Sequence, residues 1–111
     1  MILWPAIIKY EGESELTFIS SESEWECDPD LHFFSYEDGD VLIDSAGAIY
    51  TLDQRIDNCI QPKSTGQYFD KNDVLEIVKE HFSFIGQCCV SKFTINTIAE
   101  GIAIVGSVAE K

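Results

Sequence analysis

Apolar residues alternate along the first ten positions. Ile2, Trp4, Ala6, Ile8 and Tyr10 fall on one side of an extended chain, while Leu3 and Ile7 add apolar surface to the other. The spacing predicts a strand over 2–10, largely buried. Pro5 lacks the N–H a ladder needs, which predicts an edge position or a bulge there. A turn over 11–14, containing Gly12, leads into a return strand over 15–19 with Leu16 and Phe18 on one face. Ser21-x-x-Glu24 then matches a capping box and opens a short helix over 22–27, with Trp25 as its inward residue and Pro29 as its stop.

Beyond Pro29 the aromatic-rich run 31–36 reads as a strand, and Glu37-Asp38-Gly39-Asp40 as a turn. Residues 41–44 and 48–52, joined by Ser45-Ala46-Gly47, read as a hairpin. The stretch 53–69 is the least regular, and Pro62, Ser64 and Gly66 mark it as a loop. Asp70 caps a helix over 71–85 whose apolar face is Val74, Leu75, Val78, Phe82 and Ile85; Gly86 ends it. Residues 89–95 read as a strand. Thr97-x-x-Glu100 opens a last helix with a stripe of Ile98, Ile102, Val105 and Val108. Gly101 and Gly106 weaken that helix by about 1 kcal/mol each relative to alanine, so a hairpin through 102–108 is the competing reading.

This order of elements, without repeat or linker, defines one α+β domain over 1–111. It consists of a mainly antiparallel or mixed sheet with two to three helices packed on one face. A chain this long buries roughly two thirds of the surface its unfolded form exposes, so one core suffices without covalent staples.

Charge changes the functional picture more than the fold. The chain has 20 Asp and Glu against 7 Lys and Arg, a formal net charge of −13. The excess is lopsided: residues 1–50 hold twelve carboxylates and one base, Lys9, whereas the remainder holds eight carboxylates and six bases. Such a surface repels phosphate backbones and anionic lipid, so no direct nucleic-acid binding and no membrane association are expected. It favours basic partners: a basic protein, a polyamine or a cation. The charge also suits solubility alone, as a monomer or weak dimer. The opening MILWPAIIKYEGE lacks a basic n-region and a small-residue cleavage site, so the expected location is cytoplasmic, with Cys27, Cys59, Cys88 and Cys89 as reduced thiols.

Four groups of residues could carry chemistry. The run Glu22, Glu24, Glu26, Asp28 and Asp30, interleaved with Trp25 and Cys27, is the candidate binding site for a basic partner. A solvated helix rim followed by a polar loop explains the same residues, and early glutamates also suit the helix dipole. Glu37, Asp38, Asp40 and Asp44 cluster at turns, but their spacing departs from the calcium-loop pattern, and turn chemistry accounts for them. Cys88-Cys89 lacks the spacing of a zinc site, since neighbours in a strand point to opposite faces. No metal and no cofactor are therefore expected. A Cys–His nucleophile would need Cys59, Cys88 or Cys89 beside His32 or His81, and no catalytic motif accompanies them.

The stretches W-P-A-I-I-K at 4–9, E-L-T-F-I at 15–19, Trp25, L-I-D-S-A-G at 42–47 and Q-C-C-V-S-K at 87–92 resemble a bacterial family of small acidic cytoplasmic proteins of unknown function. The resemblance covers nearly the whole chain and implies a compact domain. It implies no functional residues. The expectation is thus a non-enzymatic interaction domain whose acidic surface, roughly 11–44, docks a basic protein. Trp25, Phe33, Phe34 or Tyr36 would be the desolvated anchor. The alternatives are an inhibitor or immunity-type protein that mimics nucleic acid, and a small enzyme using a cysteine or carboxylate in a cleft.

Overall fold

The opening alternation becomes the second strand of a five-stranded sheet. The structure, a computed structural model, describes residues 2–33, 36, 37, 39–56, 59–86 and 94–109, apart from the side chains at 30, 33, 108 and 109. β1 (Ala6–Lys9) pairs antiparallel with β2 (Leu16–Ile19) on one side, Ala6 opposite Ile19 and Lys9 opposite Leu16. On its other side it pairs with β3 (Val41–Ile43), Ile7 opposite Ile43. β3 forms a hairpin with β4 (Ala48–Thr51). After a small ribbon of β5 (Arg55–Ile56) and β6 (Cys59–Ile60), β7 (Lys63–Tyr68) pairs with β4. The sheet order is β2-β1-β3-β4-β7, antiparallel throughout.

Because strand side chains alternate, each residue of β1 serves one face. Ile7, with Leu16, Ile43 and Ile49, packs against the long helices α3 (Lys71–Phe84) and α4 (Ile98–Ala109). Ala6 and Ile8 face the other way with Leu42, Tyr50, Trp25 and Ile60, joined by Tyr10 and by Ile2 and Trp4, which precede a bend at residues 4–5 because the strand expected over 2–10 is confined to Ala6–Lys9. That second face is covered by α1 (Glu22–Cys27), α2 (Pro29–Phe33) and the β5–β6 ribbon. The two long helices therefore share one face, as expected, and two short ones add a cover on the opposite face.

Several expectations need correction. Pro5 stands just before β1, so its missing N–H leaves the ladder intact, and β1 is an interior strand without a bulge at that point. The strand expected over 31–36 is instead α2, over its described part. Proline at a first helical position is pre-set for the turn, so Pro29 ends α1 and opens α2 at once. The loop expected over 53–69 contains β7. All six of its residues are exposed, so it has no buried face to write an apolar alternation into the sequence. In α3, Ile77 and His81 join Val74, Val78 and Phe82 in the interior, while Leu75 is half-buried and Ile85 exposed. The strand expected over 89–95 lies mostly outside the described residues, as do Cys88 and Cys89; Ile95 is buried.

The competing hairpin reading of 102–108 is settled in favour of helix α4. Thr97 Oγ1 accepts the Glu100 N–H at 3.0 Å, while the Glu100 carboxylate reaches back to the Asn96 N–H at 3.3 Å. Gly106 has a packing reason: a Cβ there would meet the Phe18 ring at 2.5 Å. The missing side chain lets α4 lie directly on β2, which offsets its low helix propensity.

Candidate functional site

α1 is six residues long and owes its start to local chemistry. Ser21 Oγ accepts the Glu24 N–H at 3.2 Å, and Glu24 Oε1 accepts the Ser20 N–H at 2.8 Å. Glu24 is thereby committed to the helix start. One turn apart, Glu22 and Glu26 lie on a common side of α1, both exposed, and Trp25 enters the interior with 5% of its surface exposed.

His32 ties this short helix to the sheet. Its Nδ1 accepts the Ile60 N–H at 2.9 Å, which leaves the proton on Nε2 to donate to the Trp25 carbonyl at 2.7 Å. Its ring meets the Trp25 indole edge-on, centroids 4.9 Å apart. Arg55 Nη1 donates to the His32 carbonyl at 2.6 Å. A single buried imidazole thus joins α1, α2 and β6.

The cover leaves a cleft of about 860 Å³, a volume typical of small-ligand sites. Its walls are Ile2 and Trp4 from the opening stretch, Trp25 from α1, His32, Tyr50 from β4, and Cys59 to Pro62. Glu22 and Glu26 are the carboxylates among its lining residues, and the described lining contains no lysine or arginine. The Tyr50 hydroxyl donates to Asp44 at 3.4 Å; burial, together with the negative charge of Asp44, raises its pKa, so it is a neutral phenol at ordinary pH.

The structure sorts the residues singled out from sequence. Glu22, Trp25 and Glu26 meet at the cleft. Glu24 serves the helix start. Asp28 is the C-terminal cap of α1, its N–H on the Glu24 carbonyl, and its own carbonyl accepts the Leu31 N–H. The Asp30 side chain lies outside the described residues. Trp25 requires a correction: a residue this buried does not insert into a partner as an exposed anchor, and it forms a cleft wall instead. Of the other anchor candidates Tyr36 is half-buried, its ring stacked on Tyr10 at 6.4 Å and its hydroxyl donating to the Leu31 carbonyl; Phe34 and the Phe33 side chain lie outside the described residues.

Of the turn carboxylates, Asp40 and Asp44 are occupied by main-chain donors, and Asp38 lies outside the described residues. Asp40 accepts the Glu11 and Glu37 N–H groups, each at 2.8 Å. Asp44, 1% exposed, accepts the Leu3 N–H at 3.0 Å and those of Ala46 and Ala48 at 2.9 Å. These are loop-closing bonds, and among the described residues no group of three or more His, Cys, Asp or Glu is arranged to hold a metal.

On the opposite face His81 repeats the chemistry of His32. Its Nδ1 accepts the Leu16 N–H at 3.0 Å, and burial pushes its pKa below the ordinary histidine value, partly opposed by Glu15. Cys59 and His32 share the cleft, but both ring nitrogens of His32 are engaged with the main chain. The cleft residues Tyr50 and Gln61 carried no local signal, whereas Cys59 stood out only as a possible thiol partner of a histidine and Pro62 only as a loop marker. Trp4 carried a signal through its place in the opening alternation.

The architecture and cleft define a small acidic α+β domain without a recognisable catalytic constellation among its described residues. The chain belongs to the DUF4144 family, described as a protein structure with unknown function, whose model matches residues 4–105. It is also similar in fold to the NMR structure of a protein from Shewanella amazonensis. That similarity has a TM-score of 0.70 at 21% identity, covering 97% of this chain and 90% of the other. No curated protein matches it. No helix among the described residues is long and apolar enough to cross a membrane.

Proposed function

We propose that this is a non-enzymatic interaction domain whose acidic N-terminal half docks a basic protein, with α1 and the cleft mouth at the centre of the contact. The observation that carries the reading is the pairing of two exposed carboxylates, Glu22 and Glu26, with an aromatic-walled cleft whose described lining has no cation to neutralise them. A field of one sign beside a concave apolar surface raises the encounter rate with a cationic partner and gives it somewhere to dock. The formal charge of −13 keeps the domain a monomer or weak dimer in this reading. A bacterial cytoplasmic setting fits the Shewanella relative in fold and the exposed, unbridged thiols of Cys27 and Cys59.

Calorimetric titration with hexalysine, in low and then moderate salt, tests the docking. Binding is expected to weaken with salt and to fall roughly threefold to tenfold in the E22Q/E26Q variant, the range for two rim charges. Equal weakening by E76Q/E80Q, which removes the same charge from α3, would sink the reading, because the attraction would then belong to the whole protein.

A further inference from the structure

We infer that the cleft seats a single lysine side chain of the basic partner, with its methylene stem against the half-buried Trp4 and the uncovered edge of Trp25 and its ammonium beside Glu22 and Glu26. The inference rests on the docking reading above and adds the residue-level ligand to it.

Three observations converge on that chemistry. The cleft walls include Trp4 and Trp25, the two tryptophans of the chain, together with Tyr50. Trp4 is half-buried, and an indole attracts a cation while also accepting an alkyl stem; Trp25 and Tyr50, 5% and 6% exposed, line the floor. The carboxylates at the mouth come from one helix, one turn apart. An ammonium with three donors can be shared between two such acceptors. The third observation concerns what is already satisfied. The neighbouring acceptors inside the fold are spent: Asp44 on three main-chain N–H groups, His32 on Ile60, and the Trp25 carbonyl on His32. Glu22 and Glu26 are thus the acidic side chains the cleft offers to a visitor. A neutral apolar ligand would leave them without a role, and an anion would be repelled.

Trp4 and Trp25 make the cleft self-reporting, because all tryptophan emission arises from its walls. The test is a fluorescence titration of the whole protein with a capped pentapeptide, Ala-Ala-Lys-Ala-Ala, against the same peptide carrying norleucine in place of lysine. A saturable emission change is expected with lysine and none with norleucine at equal concentration. E22Q/E26Q should raise the apparent Kd at least fivefold, and E76Q/E80Q less than twofold. Both pairs are exposed on helix surfaces, so the folded state is retained in each. Equal response to the norleucine peptide would overturn the cationic ligand. Spermidine saturating the same change at far lower concentration would overturn the peptide source in favour of a free polyamine. Calorimetric binding of hexalysine with unchanged tryptophan emission would overturn the cleft as the site and leave the docking reading standing. Absence of hexalysine binding would remove both.

Discussion

The two faces of the sheet are covered by different means. On one, α3 and α4 present long apolar stripes, and Gly106 lets α4 approach until its backbone meets Phe18. Burial there is nearly continuous: Ile7, Ile43, Val74, Val78, Ile102 and Val105 have no exposed surface. On the other face the cover is two helices of 6 and 5 residues and a two-stranded ribbon. Elements that short cannot carry enough apolar surface to seal a sheet or to hold themselves in helical form. They are held instead by a buried polar tie, His32 between α1 and β6, and the opening stretch beside them is tied to the β3–β4 turn by Asp44. The sealed face supplies stability. The tied face retains a cleft, because side-chain ties fix position without filling volume.

The contrast is broken most severely by removing a tie. Asp44→Ala leaves the buried Ala48 N–H without its acceptor and removes the part-buried bonds to Leu3 and Ala46, and about 2–3 kcal/mol of stability should be lost. Asp44→Asn, which keeps one acceptor oxygen, should cost less. Urea unfolding of the two variants measures both, and equal small losses would show that Asp44 is no tie.

Next in size is a change on the sealed face. Gly106→Ala improves helix propensity by about 1 kcal/mol but drives a methyl group into the Phe18 ring. Overpacking costs about 1–3 kcal/mol, so a net destabilisation is expected, and a Phe18→Leu background should relieve it. A raised melting temperature for Gly106→Ala alone would mean that α4 stands further from β2 than described.

The sealed face should also carry a pH dependence. Burial lowers the pKa of His81 relative to its ordinary value of about 6.5, so below that value the unfolded chain binds more protons than the native one. Its contribution is complete above about pH 6.5 and is lost as pH falls toward the native pKa. Urea midpoints at pH 7.5 and 5.5 should therefore differ, the lower pH being less stable. His81→Asn, whose Oδ1 takes the place of Nδ1 as acceptor of the Leu16 N–H without titrating, should flatten that difference; an unchanged slope would remove His81 as its source.

The smallest effect on stability belongs to the cleft mouth. E22Q/E26Q should move the urea midpoint by less than about 0.5 kcal/mol in equivalent free energy, since both side chains are exposed. A larger loss would mean that these glutamates support the fold, and would blur the binding comparison above.

Strong local rules made much of the fold legible from sequence. The period-2 run places Ala6, Ile8 and Tyr10 on the face where they lie, because alternation is a property of any extended chain; Ile2 and Trp4 reach the same cluster from before a bend at residues 4–5, outside the strand expected over 2–10. Ser21 and Asp70 mark helix starts at Glu22 and Lys71 through hydrogen bonds only three residues long. β7 left no such mark: an exposed edge strand has no buried side, and its place beside β4 comes from long-range pairing. α2 was obscured because Pro29 is equally a stop and a start.

The candidate site divides along the same line. The acidic excess of the first half and the helix bearing Glu22, Trp25 and Glu26 are determined by the sequence alone. Only the tertiary structure decided that the inward-facing Trp25 forms a wall and not an anchor, that the Glu24 carboxylate is spent on the helix start, and that Trp4, Tyr50 and Cys59 join Trp25 around one cleft. Charge and helix ends depend on residues near one another in the chain. A cleft depends on which distant segments fail to fill the space between them, and that emerges only when the short helices and the ribbon dock on the sheet.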